Sequence, residues 1–304
     1  MSYQSLEEIV KAAKAGGVTF WETILMEDMK NRQVGSRDSV AQMRAMYRAM
    51  KEADGSYERK RKSSSQLVGG DGGKLERARQ KGVLICGDFI AQVMEKAIKM
   101  GESNACMKRI VAAPTAGSCG VLPAVLLTYE KQFSERENRM VEAMYVAAGI
   151  GEVIAARASI SGAEGGCQAE IGSASAMAAG ALVYLRGGDD KTICHAVAIS
   201  LKNLLGLACD PVAGLVEVPC VKRNVVGAVN AVTACDMAMA GIKSAIPADE
   251  VIDAMRQIGR SMPESIRETA EGGLAATPTG IRIKKEMQQK HLEELEKAEA
   301  AKEE

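Results

Sequence analysis

The amino-acid sequence predicts an all-α protein, and three observations carry that expectation. Alanine supplies 46 of the 304 residues, and Ala, Met and Leu favour helix. Aromatic residues are only 3%, with one Trp and three Phe, so the side chains preferred by strands are scarce. Where the chain is amphipathic, its apolar residues recur at helical spacing.

The elements follow in order. Leu6, Ile9 and Val10 share one helical face, and Trp21, Ile24 and Leu25 share another. Val40, Met43, Met46 and Tyr47 continue the pattern over Ser36–Met50. Residues 51–62, KEADGSYERKRK, read as a charged interruption in which Arg59–Lys62 form a solvated face. SSSQLVGGDGGKL (63–75) reads as a loop. Four Gly within five positions around Asp71 free its backbone, either for a plain surface turn or for close approach to a ligand. Beyond residue 83 the periodicity predicts helices over about 86–100, 119–132, 139–158, 173–186, 190–206, 224–243 and 248–259. Small residues such as Gly172, Ser173, Ala174, Ser175 and Ala176 allow close helix packing. Residues 283–304 read as a charged, exposed helix carrying His291 as a surface residue. No repeat and no Pro- or Ser-rich linker divides the chain. The expected organisation is an N-terminal helical arm with its Gly-rich loop (1–75), a helical domain (76–282) and the charged helix (283–304).

Composition narrows the function. Lys and Arg number 39 against 39 Asp and Glu, so no basic excess favours nucleic acid. The longest charge-free window, Ile110–Tyr129, contains Pro114, Gly117, Gly120 and Pro123 and reads as a polar loop entering a helix rather than a membrane span. The N-terminus lacks the apolar stretch of a secretory signal, so a soluble, cytoplasmic location is expected. Eight Cys in that setting are free, metal-bound or catalytic rather than paired.

Three charge-poor, Gly-rich segments stand out: APTAGSCGVLPAVL (113–126), SGAEGGCQAEIGSASAMAAG (161–180) and LACDPVAGLVEVPCVKRN (207–224). Each sets a Cys or a hydroxyl in a loop beside a helix, where Gly permits close approach and helix amides favour anions or sulfur. Cys167, Cys209 and Cys220 lie in loop-like contexts, whereas Cys86, Cys106, Cys194 and Cys235 sit in apolar or helix-like surroundings and read as packing residues. With no C-x-x-C pair, spacing alone leaves the first three open to zinc, a cluster or simple burial.

The chain resembles the α subunit of iron–sulfur-dependent L-serine dehydratase (L-serine ammonia-lyase) of the two-chain bacterial type. The resemblance covers nearly the whole chain and is strongest in VAAPTAGSCGVLPAVL, SGAEGGCQAEIGSASAMAAGAL, LACDPVAGLVEVPCVKRNVVGAVNA and ETAEGGLAATPTG. It implies that the helical domain is catalytic, with loops that bind a [4Fe–4S] cluster through Cys167, Cys209 and Cys220. Three thiolates for four irons would leave one iron open as a Lewis acid for the hydroxyl of L-serine. Dehydration would then give pyruvate and ammonia. Thr115, Gly117, Ser118, Arg223 and Asn224 are the implied substrate-binding residues, Arg223 as a bidentate partner for a carboxylate.

Two departures from the single-chain relatives matter. Ala116 stands where they carry Asn, and the charged helix after TPTG (277–280) lacks the terminal Cys that can reach their site. The Ser-His-Thr segment of the family's other domain is also missing, which implies a β subunit as partner in a heterodimer or larger assembly. Neither nucleic acid nor a membrane is an expected partner. Cys119 is not expected to be a ligand, and the resemblance leaves the general base unassigned; His195 reads as a core or helix-surface residue. The rival readings are a related cluster lyase acting on L-cysteine or another β-substituted amino acid, and a non-catalytic helical subunit with structural or zinc-bound Cys.

Overall fold

In the computed structural model, which describes residues 3–303, the N-terminal arm is built from well-capped helices. Helix α1 (Leu6–Gly16) starts on Ser5, whose hydroxyl accepts from the Glu8 amide; α2 (Phe20–Arg32) starts on a reciprocal Thr19–Glu22 cap. Helix α3 (Ser36–Gly55) runs through most of the first half of the expected charged interruption. Phe20, Ile24, Tyr47 and Met50 join the same apolar core as the later helices, so the arm is packed down rather than free.

The expected loop at 63–75 is loop only as far as Gly70. Helix α4 (Asp71–Gln80) starts at Asp71 because the buried Glu102 carboxylate accepts from the amides of Asp71 and Gly72 at 2.8 and 3.2 Å. Its sequence shows little apolar periodicity, so this tertiary cap is what the reading from sequence could not supply. A Cβ on Gly72 would lie 2.5 Å from Lys99 Cγ, and that glycine lets α4 lie on α5 (Gly87–Ala105).

Most of the remaining helices match the sequence expectation closely: α6 (Val121–Phe133), α7 (Glu137–Arg157), α9 (Ser173–Leu185), α10 (Asp190–Lys202), α11 (Cys220–Met239), α12 (Ala248–Ser261) and α13 (Pro278–Glu303); the short α8 (Gly162–Gly165) lies where the periodicity predicts none. No strand occurs among the described residues; one isolated bridge pairs Cys209 with Arg267. The fold is all-α, as the sequence predicts.

Helix α9 is the centre. Nearly every one of its residues is buried, and α6, α7, α10 and α11 surround it, as expected of a helix apolar on all sides. Its glycines set the approach distances: a Cβ on Gly180 would stand 2.2 Å from Ile150 Cδ1 of α7. Ser175, Ser200 and Asn230 form one hydrogen-bonded group inside this core. Ser175 Oγ donates to Gly227 O at 2.7 Å, and the Asn230 amide donates to Ser175 Oγ and Ser200 O.

Two details differ from the sequence reading. Cys220 is the first residue of α11 rather than a loop residue, because the helix starts directly after Pro219. Cys86 is exposed, in the turn that joins α4 to α5, with its sulfur 3.8 Å from Met94 Sδ, so it is not a packing residue. Cys106 and Cys235 are buried and Cys194 is half-buried. No described helix is long and apolar enough to cross a membrane. The side chain of His291 lies outside the described residues.

Candidate functional site

Three loops and one strap meet at the N-terminal end of α9. Cys167 leads into a single π turn, Gln168–Gly172, that runs straight into α9; such turns are frequent at functional sites. Gly166, at φ +71°, precedes it, and a Cβ there would lie 2.7 Å from Met262 Sδ and 2.9 Å from Leu207 O. Gln168 stitches this segment to its neighbours. Its backbone amide donates to Leu207 O at 3.0 Å, its side-chain oxygen accepts from Gly206 N at 2.9 Å, and its side-chain nitrogen donates to Met255 O at 3.0 Å. The Cys167 turn and the approach to Cys209 are thereby fixed together.

Cys209 is held in extended backbone by the strap 264–277. Its amide donates to Ile266 O at 2.8 Å, and its carbonyl accepts from Glu268 N at 2.7 Å. Glu268 takes φ +66°, a left-handed conformation unusual for a side-chain-bearing residue. Asp210 anchors the other end of the strap by accepting from Leu274 N at 2.8 Å.

All three sulfurs are buried, and their electrostatics couple them. Burial pushes the Cys167 thiol up to about 11 and the Cys220 thiol up to about 12, with Cys209 raised further still. After burial, the charge of Cys167 raises both of the other two, and Cys220 also raises Cys209. That coupling through Cys167 separates these three from Cys119, which burial alone raises to about 12. Buried thiols of which Cys167 opposes the ionisation of the other two suit a cationic centre that would stabilise all three thiolates. Among the described residues no three His, Cys, Asp or Glu side chains are arranged around a single metal ion. A multi-iron cluster asks for something different, since each sulfur binds its own iron.

The residues expected to bind substrate are brought to the same place. Thr115 Oγ1 lies 3.1 Å from Ser118 Oγ and donates to Glu170 Oε1 at 2.7 Å. Gly117 passes so close to Glu170 that a Cβ there would stand 2.9 Å from Oε1. Asn224 is buried and acts as a brace: Oδ1 accepts from Gly120 N at 2.8 Å, while Nδ2 donates to Gly117 O at 2.9 Å and Cys220 O at 3.0 Å. Arg223 donates to Ala208 O at 2.6 Å and to Asp210 Oδ1 at 2.8 Å, and its positive charge works against the effect of burial on the Cys167 thiol. His195 stands elsewhere, on α10, accepting from Ser244 N at 3.3 Å.

Glu170 is the residue that reading the sequence missed. It sits in the π turn, and burial pushes its carboxyl up from the usual carboxylate range; the Thr115 hydrogen bond works against that rise and the charge of Glu268 adds to it. A Cβ on Gly162 would lie 2.9 Å from Glu170 Oε2, 3.0 Å from Glu268 Oε2 and 3.1 Å from Cys209 Sγ, so one glycine-sized space is shared by two carboxylates and a thiol. A signal did exist in the sequence: Glu170 is the one charged residue between positions 165 and 185.

Comparison with known proteins gives the chain a family. The family model of the serine dehydratase alpha chain matches residues 15–275. A probable L-serine dehydratase alpha chain of Bacillus subtilis (strain 168) is 44% identical over 94% of this chain and 95% of its own length. The L-serine dehydratase alpha chain of Peptoniphilus asaccharolyticus is 39% identical over 92% of this chain and 96% of its own. L-serine dehydratase TdcG of Escherichia coli (strain K12) is 46% identical over 59% of this chain but only 40% of its own length, so it is the longer protein. With a matched span that covers most of the chain, the chain belongs to the serine dehydratase alpha chain family.

Proposed function

We propose that this chain is the catalytic α subunit of an iron–sulfur L-serine dehydratase, which works with a β chain to convert L-serine to pyruvate and ammonia. The observation that carries the reading is the set of three buried cysteines gathered beside the Thr115–Glu170 pair. Cys167, Cys209 and Cys220 would hold a [4Fe–4S] cluster, which when bound supplies an open iron as Lewis acid for the substrate hydroxyl. The eight cysteines, all free, suit a reducing cytoplasm.

The chain's own residues have distinct parts. Thr115 and Ser118 offer hydroxyls to the substrate, and Glu170 orients the Thr115 hydroxyl. Arg223 supports Cys167 and is the positive charge that attracts the substrate carboxylate. Asn224 acts through the loop, by fixing Gly117 and Gly120 against Cys220. Glu170 takes the α proton, a task for which a carboxyl raised by its surroundings is better matched near neutral pH than an ordinary one. Loss of that proton and of the hydroxyl, together one water, leaves aminoacrylate. Tautomerisation and hydrolysis then give pyruvate and ammonia. The exposed edge of the strap at Glu268 is where a partner chain would complete the site.

The test is L-serine-dependent pyruvate formation by the anaerobically purified chain, alone and with its β chain. Activity that requires both chains is the expected result. Faster release of sulfide from L-cysteine than of pyruvate from L-serine would favour the related lyase. No turnover of either with both chains present would contradict the proposal.

A further inference from the structure

The glycine-rich segment 63–72 has no place in the chemistry above, yet it is tied to the cysteine loop by one buried carboxylate. Glu217, three residues before Cys220, is only 5% exposed. Its Oε2 accepts from Ser63 Oγ at 2.9 Å and from Ser65 Oγ in a shorter bond. Burying a carboxylate is costly unless hydrogen bonds satisfy it, and here hydroxyls from the far end of the sequence do so.

The segment is itself rigidly held. Ser63 N donates to Val68 O at 3.1 Å, closing the turn, and Lys62 Nζ donates to Gly69 O at 2.7 Å. Glu102, 1% exposed, accepts from Gly69 N at 3.1 Å, from Asp71 N at 2.8 Å and from the Tyr57 hydroxyl at 2.5 Å. Gly69 must be glycine: at φ +124° its Cβ would meet Arg61 O at 2.3 Å. Beneath these polar ties, Val68 packs with Ile98 and Val221, and Leu67 and Val218 close the edge. Glu217 in turn sets the start of α11, since its carbonyl accepts from Val221 N at 3.0 Å.

We infer that segment 63–72 is a clamp that positions the Cys209–Cys220 loop, with Ser63 and Ser65 acting through Glu217. They are positioning residues; neither is placed in contact with substrate. The clamp's purpose rests on the proposed reading of Cys209 and Cys220 as ligands, but its effect on the two thiols does not.

The first measurement is therefore made on the metal-free full chain. Ser63→Ala/Ser65→Ala removes both donors and leaves Glu217 buried without its partners. Alkylation followed by mass spectrometry should show Cys209 and Cys220 labelled about tenfold faster, the change expected when a buried charged hydrogen bond is lost. Cys119 and Cys235, buried outside the loop, should keep their parental rates. Should the double variant fail to accumulate, Ser65→Ala alone and Glu217→Gln are expected to give the same selective pattern. The second measurement is iron loss in air from the reconstituted chain–β complex, expected on the order of tenfold faster in the variant. Ser200→Ala, in the buried polar network of α9–α11, serves as a destabilised control whose iron loss should stay parental.

Rates at Cys209 and Cys220 within about twofold of the parent, or equal acceleration at all four cysteines, would overturn the clamp. So would faster iron loss in Ser200→Ala to the same degree. A parental complex that binds no iron would instead count against the proposed function, and the labelling would still decide the clamp.

Discussion

Two glycines at opposite ends of the central region leave room for very different neighbours. Gly180, in the body of α9, makes space for a methyl group: its Cβ would fall 2.2 Å from Ile150 Cδ1. Gly162, beside the π turn that leads into α9, makes space for Glu170, Glu268 and Cys209. In the first case the vacated volume is filled by apolar atoms and adds packing. In the second it gathers two carboxylates and a buried thiol, a grouping that costs stability where the proposed chemistry is placed. On the proposed function, the same local device serves cohesion in one place and chemistry in the other, and substitutions should separate the two.

The largest effect is expected at the reactive end. Glu170→Gln preserves a partner for Thr115 but removes the proton acceptor, and kcat should fall by about 10²–10⁴-fold. Its thermal stability should not fall, since an amide replaces a carboxylate that burial disfavours. A drop in Tm that parallels the drop in kcat would make Glu170 structural.

Gly162→Ala comes next. Displacing Glu170, Glu268 or Cys209 by a fraction of an ångström to an ångström should cost on the order of 10²-fold in turnover, with little change in the denaturant midpoint. Gly180→Ala should do the reverse. Overpacking against Ile150, partly offset by the better helix propensity of alanine, should cost about 1–2 kcal/mol in urea unfolding. Activity per folded molecule should be parental. If Gly180→Ala lowers kcat as much as Gly162→Ala does, the two regions are not separable.

The smallest effect belongs to the surface. The Arg48 guanidinium beside Glu137 holds that carboxyl below its ordinary value, through a hydrogen bond at 2.8 Å. A lowered folded-state value stabilises the protein above the unfolded value of about 4.3, and the gain disappears as pH falls through the folded value. Glu137→Gln should therefore cost less than about 1 kcal/mol at pH 7. Parent and variant should converge in strongly acidic solution, and a gap that widens on acidification would contradict the assignment.

The same contrast explains what the sequence made legible. Helices α5 to α12 are local matters of apolar spacing and punctuation, and the longer ones could be placed within a few residues. Helix α4 could not, because its start depends on Glu102, a carboxylate distant in sequence. Cys167, Cys209 and Cys220 stood apart by their loop-like contexts, but only resemblance to a family made them a ligand set; their spacing carries no local rule, and their coupling arises from the fold. Glu170 was visible as a lone charge in an apolar run, but its partner Thr115 is 55 residues away. Arg223 was read as a carboxylate binder from its charge and position. The fold adds its ties to Ala208 and Asp210 and sets its charge beside Cys167, none of which a motif displays.

The central claim is that three specific sulfurs form one donor set. It is tested most directly by iron and acid-labile sulfide in the anaerobically purified chain and in its Cys167→Ser, Cys209→Ser, Cys220→Ser and Cys119→Ser variants. The account predicts about four irons and four sulfides per parental chain. It also predicts marked loss in the first three variants and parental content in Cys119→Ser. A parental chain without iron, or a Cys209→Ser variant that keeps its full complement, would contradict it.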